Sequence, residues 1–312
     1  MMYKNEKEKT DHIKRLFLKS RKLGIVSVTK RCNLCCVYCR EKSDDWYDVL
    51  SQKTTNIDLQ KDDFESLVKI CKNQDFAEIL LTGGEPLEYP HFKELVLLLN
   101  KNGIIFSIHT NGFSKNWSSI LSVFKKHNIK PNIHLSSELF LPLQRDIRKT
   151  NQLPIEFVKQ ANIYGISVEL KITVHKKMMA YVKKIERSLI NWQRIGIKSV
   201  RFQPVVSTNK YFSQDLILDE FTIPLFEKLI DIKNNNKKLG EIMRNSTNSF
   251  KTTISYLKKT DYYKKIAKKC DMKNKIVFID ADLKQKNCIS LWGKNLRKKC
   301  ENVFDLVCCG FQ

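Results

Sequence analysis

The stretch from Thr29 to Arg40, "TKRCNLCCVYCR", places four cysteines within eight positions and admits two incompatible readings. As Cys32-x2-Cys35 followed by Cys36-x2-Cys39 it is a pair of zinc knuckles set back to back. As Cys32-x3-Cys36-x2-Cys39 it offers three ligands, leaves Cys35 over, and points to an iron–sulfur cluster with one iron left open. Thiolates suit both zinc and such clusters, so spacing is the main discriminator. Two knuckles need an intervening loop for four sulfurs to converge tetrahedrally on one ion, and "CNLCCVYC" has none.

Outward from this stretch, short apolar runs rich in β-branched residues alternate with segments of helical period, the pattern of successive βα units. Six strands are expected: Ile25 to Thr29, Glu78 to Leu81, Ile104 to His109, Ile133 to Leu135, Val168 to Val174 and Ser199 to Gln203. Phe64, Leu67, Val68 and Cys71 fall at i, i+3, i+4 and i+7, which puts Cys71 in the core rather than among the ligands. Helices over His91 to Asn102, Ile155 to Tyr164 and Met179 to Ile195 each end at a glycine, Gly103, Gly165 and Gly196, where a left-handed residue is tolerated. The fold class is therefore α/β, a partial (β/α)6 barrel of the TIM type with a small cysteine-rich C-terminal extension. Functional residues belong on the loops after the strands' C-terminal ends. The expected divisions are an N-terminal extension over 1–22, the barrel over 23–206, a helical connection over 207–269, with an amphipathic run from Phe221 to Ile232, and the cysteine-rich region over 270–312.

The loop after the second strand reads "LLTGGEPL". Gly83 and Gly84 permit close backbone approach to a ligand, Glu85 supplies a carboxylate, and Pro86 rigidifies the turn. Together with Cys32-x3-Cys36-x2-Cys39 after the first strand, this resembles the radical S-adenosylmethionine superfamily. The resemblance implies that Cys32, Cys36 and Cys39 hold a [4Fe-4S] cluster that binds S-adenosylmethionine. It also implies that Tyr38 lies by the adenine, and that Gly83, Gly84, Glu85 and Pro86 line the methionine moiety. Cys35 is then a bystander. "IHTNGF" puts Thr110 and Asn111 at a loop that recurs in the family, and "IHLSSEL" nominates Ser136 as approaching the cofactor. For Asn111, Ser136 and Lys171, a capping or core-rim role stands beside cofactor contact. The segment beginning "RDIRKTNQLP" departs from the family, which usually has a glycine where Lys149 follows Arg148. Lys30, Arg31 and Arg40 flank the cysteines, and positive charge there would raise a cluster's reduction potential.

In the C-terminal region, "KIVFIDADLKQKNC" reads as a strand, a turn and a short return between Cys270 and Cys288. This resembles the hairpin opening the auxiliary-cluster domains called SPASM or, in shorter form, twitch. The family pattern has a glycine where this chain has Leu283. The resemblance implies one auxiliary [4Fe-4S] cluster held by Cys270, Cys288, Cys300 and one of Cys308 or Cys309, with a small zinc site from the same thiolates as the rival reading.

The 312 residues carry a net charge of +23 and are 42% hydrophobic, enough for one large α/β domain with an appendage, and disorder is not expected. The charge would attract anions. It comes mainly from lysine amid many Asn and Ile, however, and no aromatic RNA-binding motif accompanies it, so we expect no nucleic-acid partner. Met1 to Arg21 lacks the apolar core of a signal peptide, and no apolar run approaches the ~18–20 residues that span a bilayer. A cytoplasmic location without membrane association is expected, and in a reducing compartment clustered cysteines read as ligands or catalytic thiols.

The function implied is reductive cleavage of S-adenosylmethionine to a 5′-deoxyadenosyl radical that abstracts a substrate hydrogen. The leading substrate is a peptide, modified by cross-linking, oxidation or epimerisation as in the maturation of ribosomally made peptides. The alternative is radical oxidation or epimerisation of a small metabolite; RNA modification and a non-enzymatic zinc-binding protein stand behind both. The expected partners are a peptide or small-molecule substrate and an electron donor such as flavodoxin or ferredoxin. A separate leader-peptide-binding protein is also expected if the barrel mouth does not itself recognise the peptide, because the residues before the first strand are too few for a fused one. The three-ligand reading predicts that Cys36→Ala abolishes cofactor cleavage while Cys35→Ala retains it. Equal loss of 5′-deoxyadenosine in both variants would overturn that reading.

Overall fold

A computed structural model of the chain describes residues 22–39, 57–205, 214–258 and 275–287. Arg40, Cys270, Cys288, Cys300, Cys308 and Cys309 lie outside the described residues, as do the expected divisions at 206–207 and 269–270 and nearly all of the N-terminal extension.

Strands β1 (Lys22–Thr29), β2 (Phe76–Gly83), β3 (Phe106–Thr110), β4 (Asn132–Ser136), β5 (Val168–Val174) and β6 (Ser199–Pro204) occupy the six expected places. Each pairs in parallel with its sequence neighbour, as right-handed βα crossovers require. Helices α1 (Phe64–Asn73), α2 (Phe92–Lys101), α3 (Trp117–Lys126), α4 (Leu141–Arg148), α5 (Ile155–Ile163) and α6 (Ile185–Ile195) cover the outer face. The α1 face Phe64, Leu67, Val68 and Cys71 is buried, and burial pushes the Cys71 thiol up to about 12, as befits a core residue. Gly103, Gly165 and Gly196 all take positive φ at the helix ends, as the sequence predicts.

Two boundaries move. β3 begins at Phe106, because Ile104 is still closing α2 by donating to the Leu99 carbonyl. The helix expected from Met179 starts at Ile185, after a 3-10 coil over Lys176–Lys184 in which Tyr181 stacks on Phe140.

The sheet has seven parallel strands rather than six. β7 (Ile276–Ile279) adds in parallel to the open side of β1, and β8 (Gln285–Asn287) returns antiparallel to it. All four residues of β7 are buried, so this run needs sheet neighbours and a covered face. The opposite edge is closed differently. Beyond β6 the chain forms α7 (Ile223–Asn235), α8 (Lys237–Ile242) and α9 (Thr247–Leu257), whose buried Leu225, Phe226, Leu229 and Phe250 join the barrel's own core. Phe221, expected on this apolar face, is exposed, because the helix proper starts at Ile223 after a capping box at Asp219 and Thr222. Met243 bridges in parallel to Val200, and the Asn245 side chain accepts from Phe202 N at 2.7 Å and donates to Phe202 O at 2.9 Å. An edge whose backbone groups are so satisfied offers little for another strand to pair with.

The two positions where the sequence resemblances would have a glycine, Lys149 and Leu283, hold left-handed backbone. Lys149 has φ 60° at the end of α4, and Leu283 has φ 58° in the β7–β8 turn. A residue with a side chain is strained in that conformation, at about 1–2 kcal/mol. Lys149 is exposed, so Lys149→Gly should raise unfolding free energy by roughly 0.5–1 kcal/mol, net of the entropy glycine adds to the unfolded chain, read as an increased urea midpoint at unchanged slope.

Candidate active site

The loop after β1 carries the cysteines and is held on three sides. Gly84 N donates to Thr29 O and Glu85 N to Arg31 O, each at 2.7 Å. A Cβ on Gly83 would sit 2.1 Å from the Thr29 carbonyl oxygen, and one on Gly84 2.2 Å from that of Arg31. The glycine pair thus serves a close backbone approach, and the backbone approached is the chain's own. From the loop after β3, the Asn111 side chain donates to Asn33 Oδ1 at 2.8 Å. From α4, Ile147 O accepts from Val37 N at 2.9 Å. Leu34 N donates to the sulfur of Cys32 at 3.5 Å, a contact of the kind that tunes thiolate ligands. Arg31 is paired with Asp58, Nε to Oδ2 at 2.8 Å, so its charge is neutralised at the surface rather than directed at the cysteines.

Glu85 is 1% exposed. Its carboxylate accepts from Leu87 N at 3.1 Å, Thr110 Oγ1 at 2.6 Å and Asn111 N at 2.7 Å, which locks the β2 and β3 loops together. Burial nevertheless pushes its pKa up to about 7 against these three donors.

A second buried carboxylate, Glu138 just beyond β4, organises the opposite wall. It accepts from the Tyr38 hydroxyl at 2.8 Å, from Arg148 Nε at 3.3 Å, and meets His175 Nε2 at 3.1 Å. Burial alone would raise Glu138, but the His175 bond and the Arg148 charge outweigh it and hold the carboxyl below its usual range. The Arg148 guanidinium lies 5.4 Å over the Tyr38 ring, fixing the aromatic plane.

The concave face of the sheet is polar. Along β4, β5 and β6 the outward residues, including Ile133, Leu135, Leu170, Ile172, Val200 and Phe202, are buried under the helices. The alternate positions are His134 and Ser136, then Glu169, Lys171 and Thr173, then Arg201 and Gln203. Glu169 is bonded to His134 at 3.1 Å, Arg201 at 3.2 Å and Ser199 at 3.4 Å. His109 bonds Ser136. Burial, reinforced by the Lys171 charge, keeps His109 well below its ordinary pKa and His134 at about 4, so both imidazoles are neutral at pH 7.

These elements enclose a cavity of about 290 Å³ at the C-terminal ends of the strands. Cys32, Cys36, Tyr38 and Cys39 line it from one side, and Gly83, Gly84 and Glu85 from the next loop. Asn111 and Ser136 also reach it, although the Asn111 amide is committed to Asn33 and Phe113 and Ser136 to His109. Pro86 does not: it is buried at the start of the 3-10 turn Pro86–Glu88. Cys35 is exposed and does not line the cavity. Arg148, His109, Thr173 and Gln203 line the same cavity and were not singled out from sequence. Period-two polarity in β4 to β6 was the available signal, because a barrel strand that alternates apolar and polar must face something other than packed aliphatic core.

Residues 26–198, more than half of the chain, match the sequence model of the Radical SAM superfamily, and the chain belongs to that superfamily. It is accordingly an enzyme. A GTP 3′,8-cyclase of Campylobacter fetus subsp. fetus is 36% identical over 90 residues, 28% of this chain and 26% of the relative. The chain thus spans about a quarter of the length of that cyclase. The uncharacterized protein MJ0907 of Methanocaldococcus jannaschii is 26% identical over 186 residues, 57% of this chain and 60% of the relative. Among solved structures, Streptococcus suis SuiB bound to precursor peptide SuiA superposes with a TM-score of 0.65 at 15% identity, covering 97% of this chain and 70% of that one. The enzyme anSMEcpe with bound AdoMet and Kp18Cys peptide gives a TM-score of 0.61 at 17% identity, covering 86% and 74%. At these identities the likeness is one of fold. No helix among the described residues is long and apolar enough to cross a membrane.

The superfamily implies a [4Fe-4S] cluster that binds S-adenosylmethionine, and the donor set fits. Three thiols face one cavity. Among the described residues no three His, Cys, Asp or Glu side chains converge on a point for a single ion, and a cluster needs no such convergence, since each thiolate binds a different iron.

The raised pKa of Glu85 carries a sign. The native state binds a proton there more tightly than the unfolded chain does, so its contribution to stability is fully present below about pH 4.5 and is lost as pH rises through about 7. The stability of wild type relative to Glu85→Gln should therefore fall by up to about 3 kcal/mol between pH 4.5 and pH 8, measured by urea unfolding at each pH. A difference that does not vary with pH would contradict the raised pKa.

Proposed function

We propose that the chain holds its [4Fe-4S] cluster through Cys32, Cys36 and Cys39, with S-adenosylmethionine in the cavity beside them, and removes a hydrogen atom from a peptide substrate. The observation that carries this reading is the single cavity shared by the three thiols and the Gly83–Glu85 loop. When bound, cluster and cofactor supply one-electron cleavage of the sulfonium and abstraction of hydrogen from an unactivated carbon. The protein supplies position and exclusion of water. Gly83, Gly84 and Glu85 would line the methionine moiety, with Pro86 fixing the turn from behind. Arg148, whose Nε is spent on Glu138, presents the rest of its guanidinium to the cavity for the methionine carboxylate. Tyr38, pinned by Glu138 and Arg148, offers a fixed ring for the adenine.

Peptide modification draws support from the two solved structures of like fold whose bound partners are peptides, SuiA and Kp18Cys. A small-metabolite reading draws support from the local similarity to GTP 3′,8-cyclases. An auxiliary cluster on Cys270, Cys288, Cys300 and Cys308 or Cys309 belongs to the same proposal. The β7–β8 hairpin ends one residue before Cys288, where the resemblance places it.

Anaerobically reconstituted protein should contain roughly eight irons and matching sulfide, as two four-iron clusters require; zinc without sulfide would overturn the assignment of iron–sulfur clusters to these thiols. With a deuterated candidate peptide, deuterium should appear in 5′-deoxyadenosine. Cys288→Ala should still form 5′-deoxyadenosine without product. Normal product from that variant would remove the auxiliary cluster from turnover.

A further inference from the structure

The cavity wall formed by Tyr38 and Arg148 is held from behind by residues that do not line the cavity. Glu138 and His175 are both wholly buried, and neither is among the lining residues. One oxygen of Glu138, Oε1, accepts from the Tyr38 hydroxyl at 2.8 Å and from Arg148 Nε at 3.3 Å; the other, Oε2, meets His175 Nε2 at 3.1 Å. An ionised carboxylate only accepts, so the imidazole proton sits on Nε2. The remaining ring nitrogen, Nδ1, is buried and meets no hydrogen-bond partner among the described residues. Gln144 repeats the pattern on the backbone side. Its Oε1 accepts from Glu138 N at 2.9 Å and from Ser137 Oγ at 3.2 Å, while its Nε2 is buried without a partner among the described residues. Each unmet buried group costs stability. Two such costs, both beside one carboxylate whose bonds end on two cavity-lining side chains, mark a device for orientation rather than for stability.

We propose that Glu138 and His175 are positioning residues for S-adenosylmethionine: Glu138 sets the Tyr38 ring and the Arg148 guanidinium, and His175 sets Glu138. The assignment deepens the proposed function and rests on the cofactor occupying this cavity. Tyr38 needs such a restraint, because it sits on a loop without regular structure and is only half-buried. The hydroxyl bond fixes the far end of its ring, and the guanidinium, 5.4 Å from the ring centroid, fixes its plane. Both anchors share the one carboxylate, so the aromatic face for the adenine and the charged edge for the methionine carboxylate are set together. Preorganisation of this kind lowers the ordering cost of binding, and its loss falls on affinity.

The test uses the anaerobically reconstituted chain, with iron content, S-adenosylmethionine affinity by calorimetry and the urea midpoint measured on the same preparations. Glu138→Gln keeps the shape and loses the charge; it should retain its iron yet bind S-adenosylmethionine roughly tenfold or more weakly, and His175→Phe at least about threefold more weakly. His175→Gln, whose amide can donate in place of Nε2, should stay within about twofold of wild type. In the double variant Glu138→Gln/His175→Phe the loss should be no greater than in Glu138→Gln alone, because the histidine acts through the carboxylate. Lower urea midpoints with wild-type affinity in the iron-loaded variants would leave the polar network a purely stabilising one and overturn the proposal, as would additive losses in the double variant. Should these variants fail to fold, Tyr38→Phe decides: it keeps the ring, removes the hydroxyl that Glu138 holds, and should weaken binding at least about threefold, whereas unchanged affinity overturns the proposal. Wild type that holds iron but binds no S-adenosylmethionine would instead overturn the proposed function on which the assignment rests.

Discussion

The contact between Gly83–Gly84 and the Thr29–Arg31 backbone is the constraint on which the site depends. Two chain segments cross there with their carbonyls and amides in direct hydrogen bonding, and a Cβ at either glycine would lie little more than 2 Å from a carbonyl oxygen. No side-chain rotation relieves such an overlap, because both partners are backbone. The crossing fixes where the cysteine loop leaves β1, and Asn111, Ile147 and Glu138 then hold its far half from the loop after β3 and from the segment after β4. Three thiols on a loop without regular structure are thereby brought to one wall of one cavity, the preorganisation a cluster site needs.

The polar lumen is the second constraint. Barrels of the TIM type are ordinarily filled by branched aliphatic residues, and this sheet instead turns His, Glu, Lys, Arg and Thr side chains inward from β3 to β6. Burying such groups is tolerable where they satisfy one another. Glu169 does so with His134, Ser199 and Arg201, and Glu138 with Tyr38, Arg148 and His175. The apolar burial that stabilises the fold is consequently concentrated on the outer face, between strands and helices. The two open flanks of the sheet are covered by β7 on one side and by Met243–Asn245 on the other.

Much of this was legible in the sequence because it is encoded locally. A run such as Val168 to Val174 can only be a strand of this kind, and a glycine after a helical period, as at Gly165, marks a left-handed stop. The substitutions at Lys149 and Leu283 show the limit of that logic. Neither residue is the glycine that the resemblances would have there, yet the backbone takes positive φ at both places. The cysteine spacing and the Gly-Gly-Glu loop were readable for the same reason: each is a short segment whose chemistry depends on its own neighbours in the chain.

What the sequence alone determined is the order of βα units and the membership of Cys71 in the core, and it is the source of the proposed choice of Cys32, Cys36 and Cys39 over Cys35. Only the tertiary structure decided that Glu85 ties loops together, that Glu138, Arg148 and His175 brace Tyr38, and that β7 joins the barrel sheet. The physical reason is separation along the chain. Tyr38 and Glu138 are 100 residues apart, and a hydrogen bond between them exists only because parallel pairing brings the ends of β1 and β4 to the same rim.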